Sequence, residues 1–269
     1  MTTRTLTLTK HHGLGNDFLV VFDPDVSDPA GLARRLCDRR RGLGADGLLI
    51  GTAVDGYDAR MVLHNADGSR AEMSGNGIRC FAQAVARRTG DSTDQRILTD
   101  AGERAVVLSA TEHPDTVEVS VGMGRVTSLP VPEGWAALGA HPDRPVSHLG
   151  LGNPHSVVGV DDVLAVDLAE LGAKVPHVNL EIVEPGPEPH AITMRVHERG
   201  VGITDACGTG ACAAAWSASM WGLVPTSARE ILVHMDGGSA RVTVHEPLDG
   251  AVTLTGPATY VATIEIDIT

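Results

Sequence analysis

The 269-residue sequence predicts an α+β fold of two pseudo-symmetric domains, each a curved, mostly antiparallel sheet or barrel wrapped around one central helix. The first observation behind this is an internal repeat. Gly13-Leu14-Gly15-Asn16 recurs as Gly150-Leu151-Gly152-Asn153, and Ser74-Gly75-Asn76-Gly77 is echoed by Cys207-Gly208-Thr209-Gly210. Between them, Asn65-Ala66-Asp67-Gly68 matches the place of His197-Glu198-Arg199-Gly200, so three landmarks keep one order at a nearly constant displacement. The second observation is a pair of Ala-rich, largely apolar helical segments, each opened directly by a glycine turn. The third is a series of short runs rich in Val, Ile, Thr and Leu, bounded by Gly, Pro or Asp.

In chain order, the first half carries strands at 4–9, 18–22, 47–51, 60–64, 96–99, 104–110 and 116–121. Its principal helix is expected over 76–89, with a lesser one at 30–40. The second half carries strands at 155–159, 179–183, 191–196, 230–235, 240–245 and 251–255, a principal helix over 209–221 and a lesser one at 167–173. The principal helices are rich in good helix formers and belong in an interior. Expected domain bounds are 1–122, with 257–269 crossing back to it, and 123–256, with the active site at their junction.

Composition narrows the function. A net charge of −13 argues against a nucleic-acid partner, which needs a basic surface. The basic run Arg39-Arg40-Arg41 reads as a solvated loop before Gly42. No stretch of 18 apolar residues occurs, so no membrane-spanning helix is expected. The start, Met1-Thr2-Thr3-Arg4-Thr5-Leu6-Thr7, alternates like a strand and lacks the apolar core of a signal peptide, so a cytoplasmic location is expected. In that compartment Cys37, Cys80, Cys207 and Cys212 do not suggest disulfides, and without C-x-x-C spacing they suggest no metal site. A pyridoxal phosphate enzyme would need Lys10 or Lys174 as its Schiff base; neither has an attached phosphate-cradling loop, and no cofactor is expected. The oligomeric state is open, a homodimer among the options.

The chemistry is expected at Ser74 and Cys207, which hold equivalent places before the Gly-x-Gly turns. A helix N-terminus presents N–H groups and the positive end of the dipole, which suits an anion and favours a thiolate, lowering its pKa. A pseudo-twofold relation of the halves would make the two tips face each other across the junction. A substrate between them would offer its α-carbon to both, so that one group removes a proton and the other delivers one to the opposite face.

These residues carry a family resemblance. His12-Gly13-Leu14-Gly15-Asn16-Asp17-Phe18, Gly42-Leu43-Gly44-Ala45-Asp46-Gly47, Asn65-Ala66-Asp67-Gly68-Ser69, Gly152-Asn153-Pro154-His155, Val178-Asn179, Glu198-Arg199-Gly200-Val201-Gly202 and Ala206-Cys207-Gly208-Thr209-Gly210 together resemble diaminopimelate epimerase. The match runs from about residue 10 to about residue 215 and is specific as a set. The resemblance implies interconversion of LL- and meso-diaminopimelate without a cofactor, by two cysteines acting as an acid–base pair. It makes Cys207 one catalytic cysteine and Asn16, Asn65, Asn153, Asn179, Glu198 and Arg199 the substrate-binding set. It makes Gly75-Asn76 and Gly208-Thr209 the turns that hold the reacting α-carboxylate. His155 reads equally as a group orienting an acid–base residue and as a structural histidine.

Two departures stand out. The family has cysteine where this chain has Ser74, and a hydroxyl ionises far less readily than a thiol. The family also usually has Glu where Ile203 stands, which removes a polar support near Cys207. Ser74 admits three readings: a substitution made to trap a ligand, a natural residue that with water makes a poor proton relay, or a paralogue with another reaction. Rescue by Cys80 is not expected, since it lies six residues along the helix from position 74; Cys80 and Cys212 read as small core residues. The competing functions are a racemase, epimerase or dehydratase of another amino acid, and an inactive amino-acid-binding relative. The G-x-G-x-x-G at Gly42–Gly47 follows a helix-like segment and precedes Leu48-Leu49-Ile50, the reverse of a dinucleotide fingerprint.

Overall fold

The computed structural model describes residues 4–91, 94–225, 227–245 and 250–268. Met1-Thr2-Thr3 of the alternating N-terminal run, and residue 269 of the returning segment, lie outside them. The chain divides into two compact units, Met1–Val121 with Gly256–Thr269, and Gly122–Thr255.

In the first unit, β1 (Arg4–Gly13) and β2 (Asn16–Phe22) form an antiparallel hairpin in which Gly13 pairs with Asn16. Leu14 and Gly15, at its corner, both take positive φ (55° and 84°), as a two-residue turn of the primed type requires. Helix α1 (Pro29–Cys37) starts on Asp28, whose carboxylate accepts the Gly31 N–H, with proline at its first position. The chain then adds β3 (Gly47–Thr52), parallel to β2, and β4 (Ala59–Asn65), antiparallel to β3. β5 (Arg70–Ala71) and β6 (Asp94–Thr99) flank β4, and β7 (Gly102–Ala110) and β8 (Thr116–Arg125) follow in antiparallel order. Residues 259–268 of β17 (Ala251–Ile268) pair with β1.

The helix at the centre of this unit is α2 (Gly75–Thr89), which packs against β1, β2, β3, β4 and β7. Ser74 caps its start, and Gly90 ends it with φ 76° and an N–H to the Ala86 carbonyl. Ile78, Phe81 and Val85 are buried, each contributing roughly 1.5–3 kcal/mol. The helix is not apolar all round, because Arg79 and Gln83 are buried in it too. A second layer of core lies under α1, where Leu32 and Leu36 meet Leu8, Leu19, Leu48 and Ile50.

The second unit repeats the plan. β9 (Thr127–Ser128), β10 (Val146–Gly150) and β11 (Pro154–Gly159) are antiparallel neighbours, and β12 (Asn179–Pro185) joins β11 in parallel. β13 (Ala191–Glu198) pairs with β12 and with β14 (Gly202–Thr204), and runs parallel to β15 (Glu230–Met235); β16 (Gly238–Val244) and residues 252–255 of β17 complete the set. Helix α4 (Gly208–Trp221) packs against β10, β11, β12, β13, β15 and β16, with Ala211, Ala213, Ala214, Ala215 and Ala218 fully covered. Helix α3 (Leu168–Lys174), capped by Asp167, covers a separate cluster of Val158, Leu180 and Ile182.

The α+β class and the four helices agree with the sequence reading to within two or three residues at the ends. The strands at Val146–Gly150 and Gly202–Thr204 were not foreseen, and the last strand is far longer than 251–255. The Gly256-Pro257 pair reads as a stop, yet the strand runs through it. Among the described residues no helix is long and apolar enough to cross a membrane.

Candidate active site

In the first unit Ser74 is the N-cap of α2, and its Oγ accepts the Gly77 N–H at 3.0 Å. Asn76, buried behind it, donates from Nδ2 to Asn16 Oδ1 at 3.2 Å and accepts on Oδ1 from Arg79 Nη2 at 2.8 Å. Arg79 also donates to the Gly75 carbonyl at 3.1 Å and the Pro257 carbonyl at 3.2 Å, so a buried guanidinium fixes the first turn from below. Asn16 donates to Asp46 Oδ2 at 2.8 Å, and Arg39 bridges Asp46 and Asp17 at 2.7 and 2.6 Å. Lys10 completes the network, 2.8 Å from Asp17 and 2.7 Å from the Gly44 carbonyl. Burial pushes Asp17 up, but the hydrogen bonds and charges of Arg39 and Lys10 outweigh it and hold the carboxyl below its ordinary value. Arg39-Arg40-Arg41 is exposed loop, as expected; Arg39 in addition anchors the glycine loop, because two acidic neighbours lie within its reach. That loop follows α1 and enters β3, as the rejection of a dinucleotide site required. Asn65 donates to Ser69 Oγ at 3.0 Å within its own turn.

In the second unit Cys207 is the N-cap of α4, its Sγ accepting the Gly210 N–H at 3.4 Å with Thr209 Oγ1 at 3.6 Å. Asn153 Nδ2 donates to Thr209 Oγ1 at 3.2 Å, and His155 Nε2 lies 2.9 Å from Asn153 Oδ1. His155 Nδ1 is 2.6 Å from Glu181 Oε1, both side chains fully buried. Asn179 accepts the Arg199 N–H at 2.8 Å, and Glu198 accepts from Thr204 Oγ1 at 2.6 Å. The Arg199 guanidinium is exposed and makes no hydrogen bond or ion pair among the described residues. A Cβ at Gly210 would stand 2.8 Å from Glu181 Oε1 and 3.3 Å from Cys207 Sγ, so only glycine allows this approach.

Cys207 does not have the lowered pKa expected of a thiol at a helix N-terminus. Burial pushes the thiol well above its usual value, and the Glu198 and Glu181 carboxylates push the same way. The Thr209 hydroxyl and the Gly210 N–H oppose them without prevailing. Burial similarly raises Cys80 to about 12, and Cys212 is also buried, as expected of core thiols. The sequence reading missed Glu181, Asp46 and Thr204. Glu181 had a signal: a carboxylate inside the otherwise apolar run Leu180–Val183 has to be partnered if that strand is buried.

The family model for diaminopimelate epimerase matches residues 8–129 and 148–261. The chain belongs to the diaminopimelate epimerase family. It is 37% identical over 279 residues to the diaminopimelate epimerase of Synechococcus elongatus, covering 96% of each chain. It is likewise 37% identical to that of Desulfitobacterium hafniense, covering 94% of this chain and 95% of the other. A Bacillus anthracis protein of the PhzF phenazine-biosynthesis family shares the fold, with a TM-score of 0.76 at 14% identity over 98% of this chain and 100% of that one. As a member of the diaminopimelate epimerase family the protein is an isomerase.

Proposed function

We propose that the enzyme epimerises diaminopimelate between its LL and meso forms by proton transfer at Cα, without a cofactor. Cys207 is one proton-transfer group, and Ser74 stands in the place of the other. The observation that carries this reading is the place of Cys207: its sulfur caps α4 at the helix's positive end, in a chain whose relatives are diaminopimelate epimerases.

The first turns of α2 and α4 suit the α-carboxylate, whose charge grows as the α-proton leaves. The unengaged Arg199 guanidinium suits a second carboxylate, which distinguishes a diacid from ordinary amino acids. Glu198 supplies acceptor oxygens for an ammonium group. Cys207 rests as a thiol and is ready to deliver a proton. Inversion then needs a base for the other face of Cα, the role given to position 74. A serine hydroxyl that already accepts the Gly77 N–H is a poor base.

Incubation with LL-diaminopimelate in deuterated water tests this. Deuterium should enter at Cα with inversion, slowly. Ser74→Cys should raise the rate by roughly 10²–10⁴, the contribution of a positioned acid–base group, and Cys207→Ala should abolish exchange. Exchange or elimination without inversion would move the enzyme to another reaction of this chemistry. Binding without exchange would overturn the proposal.

A further inference from the structure

The contacts around Cys207 form one directed chain. His155 Nε2 faces a carbonyl oxygen, Asn153 Oδ1, at 2.9 Å and must therefore carry a hydrogen. With its oxygen so anchored, Asn153 turns its NH2 to Thr209 Oγ1 at 3.2 Å. Thr209 then uses an oxygen lone pair on Asn153, which leaves its single hydrogen for Cys207 Sγ at 3.6 Å. At the far end, His155 Nδ1 and Glu181 Oε1 lie 2.6 Å apart in full burial and hold one proton between them. Glu181 Oε2 has no hydrogen-bond partner among the described residues. Building on the epimerase reading above, the geometry points to Glu181 as a positioning residue that acts through His155, Asn153 and Thr209 to aim a hydroxyl hydrogen at the Cys207 sulfur.

The first unit shows what the arrangement adds. In its parallel pair β2–β3, Phe18 lies opposite Gly47, as His155 lies opposite Asn179 in β11–β12. Phe18 and Leu49 therefore occupy the places of His155 and Glu181. Without a histidine, Asn16 presents its oxygen to Asn76 rather than its NH2, the opposite polarity. The chain that ends on sulfur belongs to the cysteine helix alone.

The charged groups that act on the sulfur are Glu198 from β13 and Glu181 from β12, with His155 from β11 beside the latter. This gives the test a sign. Through space, removing the Glu181 carboxylate takes away a negative neighbour and should ease ionisation of Cys207. Through the chain, its removal frees the Asn153 amide to flip and take the Thr209 hydrogen, so the thiolate loses a donor.

The measurement is a pH titration of the substrate-free enzyme carrying cysteine labelled with carbon-13 at Cβ, the Cys207 signal being identified by its loss in Cys207→Ser. Glu181→Met should move the midpoint upward by about one pH unit, the scale of one hydrogen bond to a charged acceptor. Thr209→Val should also raise it, Thr209→Ser should keep the original midpoint, and Glu181→Met should give no further rise in the Thr209→Val background, where only its through-space effect remains. His155→Phe combined with Glu181→Leu, which installs both residues of the first unit and leaves no unpaired carboxylate, provides the same reading should Glu181→Met not fold. A midpoint that falls or stays in place in Glu181→Met or in the paired His155→Phe, Glu181→Leu variant, or a further rise when Glu181→Met is added to Thr209→Val, would overturn the proposal. Because no substrate is present, failure to epimerise diaminopimelate would leave this result standing.

Discussion

Ser74 and Cys207 hold the same cap position, and each accepts the N–H of the glycine three residues on. Their surroundings differ: Phe18 lies near the Ser74 turn, whereas Glu181 lies against that of Cys207. Changing residue 74 alone therefore should not make the two sites alike, and Ser74→Cys should titrate below Cys207, measured by the same labelled-cysteine method. His11 offers a separate test of burial. It is fully buried, with Nδ1 2.8 Å from Gln83 Oε1 and Nε2 2.9 Å from Thr9 Oγ1. Desolvation lowers its pKa from 6.5 to about 4 against the opposing Gln83 hydrogen bond. The unfolded chain then binds the extra proton between those values, so this stability is present above about pH 6.5 and is lost as pH falls toward 4. Denaturation should show a loss of about 2 kcal/mol between pH 7 and pH 5 that His11→Gln lacks; equal losses would remove His11 from the account.

At the scale of elements, the principal helices were legible because their signals are local: a cap residue, a Gly-x-Gly turn, then alanines. The strands Val146–Gly150 and Gly202–Thr204 were not, since histidine and glycine weaken alternation and only their neighbours in the sheet hold them. The candidate residues Cys207, Thr209, Asn153 and His155 were legible and lie in one hydrogen-bonded set, but the direction of the Cys207 shift was not. A helix terminus can be read from sequence, whereas the burial and two carboxylates that outweigh it come from separate strands. The close fit over Cys207 makes a further prediction. Gly210→Ala should cost about 1–3 kcal/mol by urea denaturation despite the better helix propensity of alanine, because its methyl would collide with Glu181. Gly77→Ala should cost less, its nearest contact being 3.1 Å from the Ser74 Cβ. Equal effects would show that the carboxylate yields.

For the molecule as a whole, β17 is the feature on which both units depend: residues 252–255 pair with β16, and residues 259–268 pair with β1. A chain ending at Thr255 should lose protection along Arg4–Lys10, seen as fast amide hydrogen exchange there; retained protection would mean that β2 alone suffices. The same strand sets the order in which the protein can be completed during its synthesis. Residues 1–121 leave the ribosome while the strand that closes their sheet is still unmade, and 122–255 must be translated first. At ordinary elongation rates that delay is on the order of ten seconds. For that time β1 is an open edge with Leu6 and Leu8 awaiting cover, a template for pairing with another nascent chain. The newborn protein is thus most in need of a chaperone at β1.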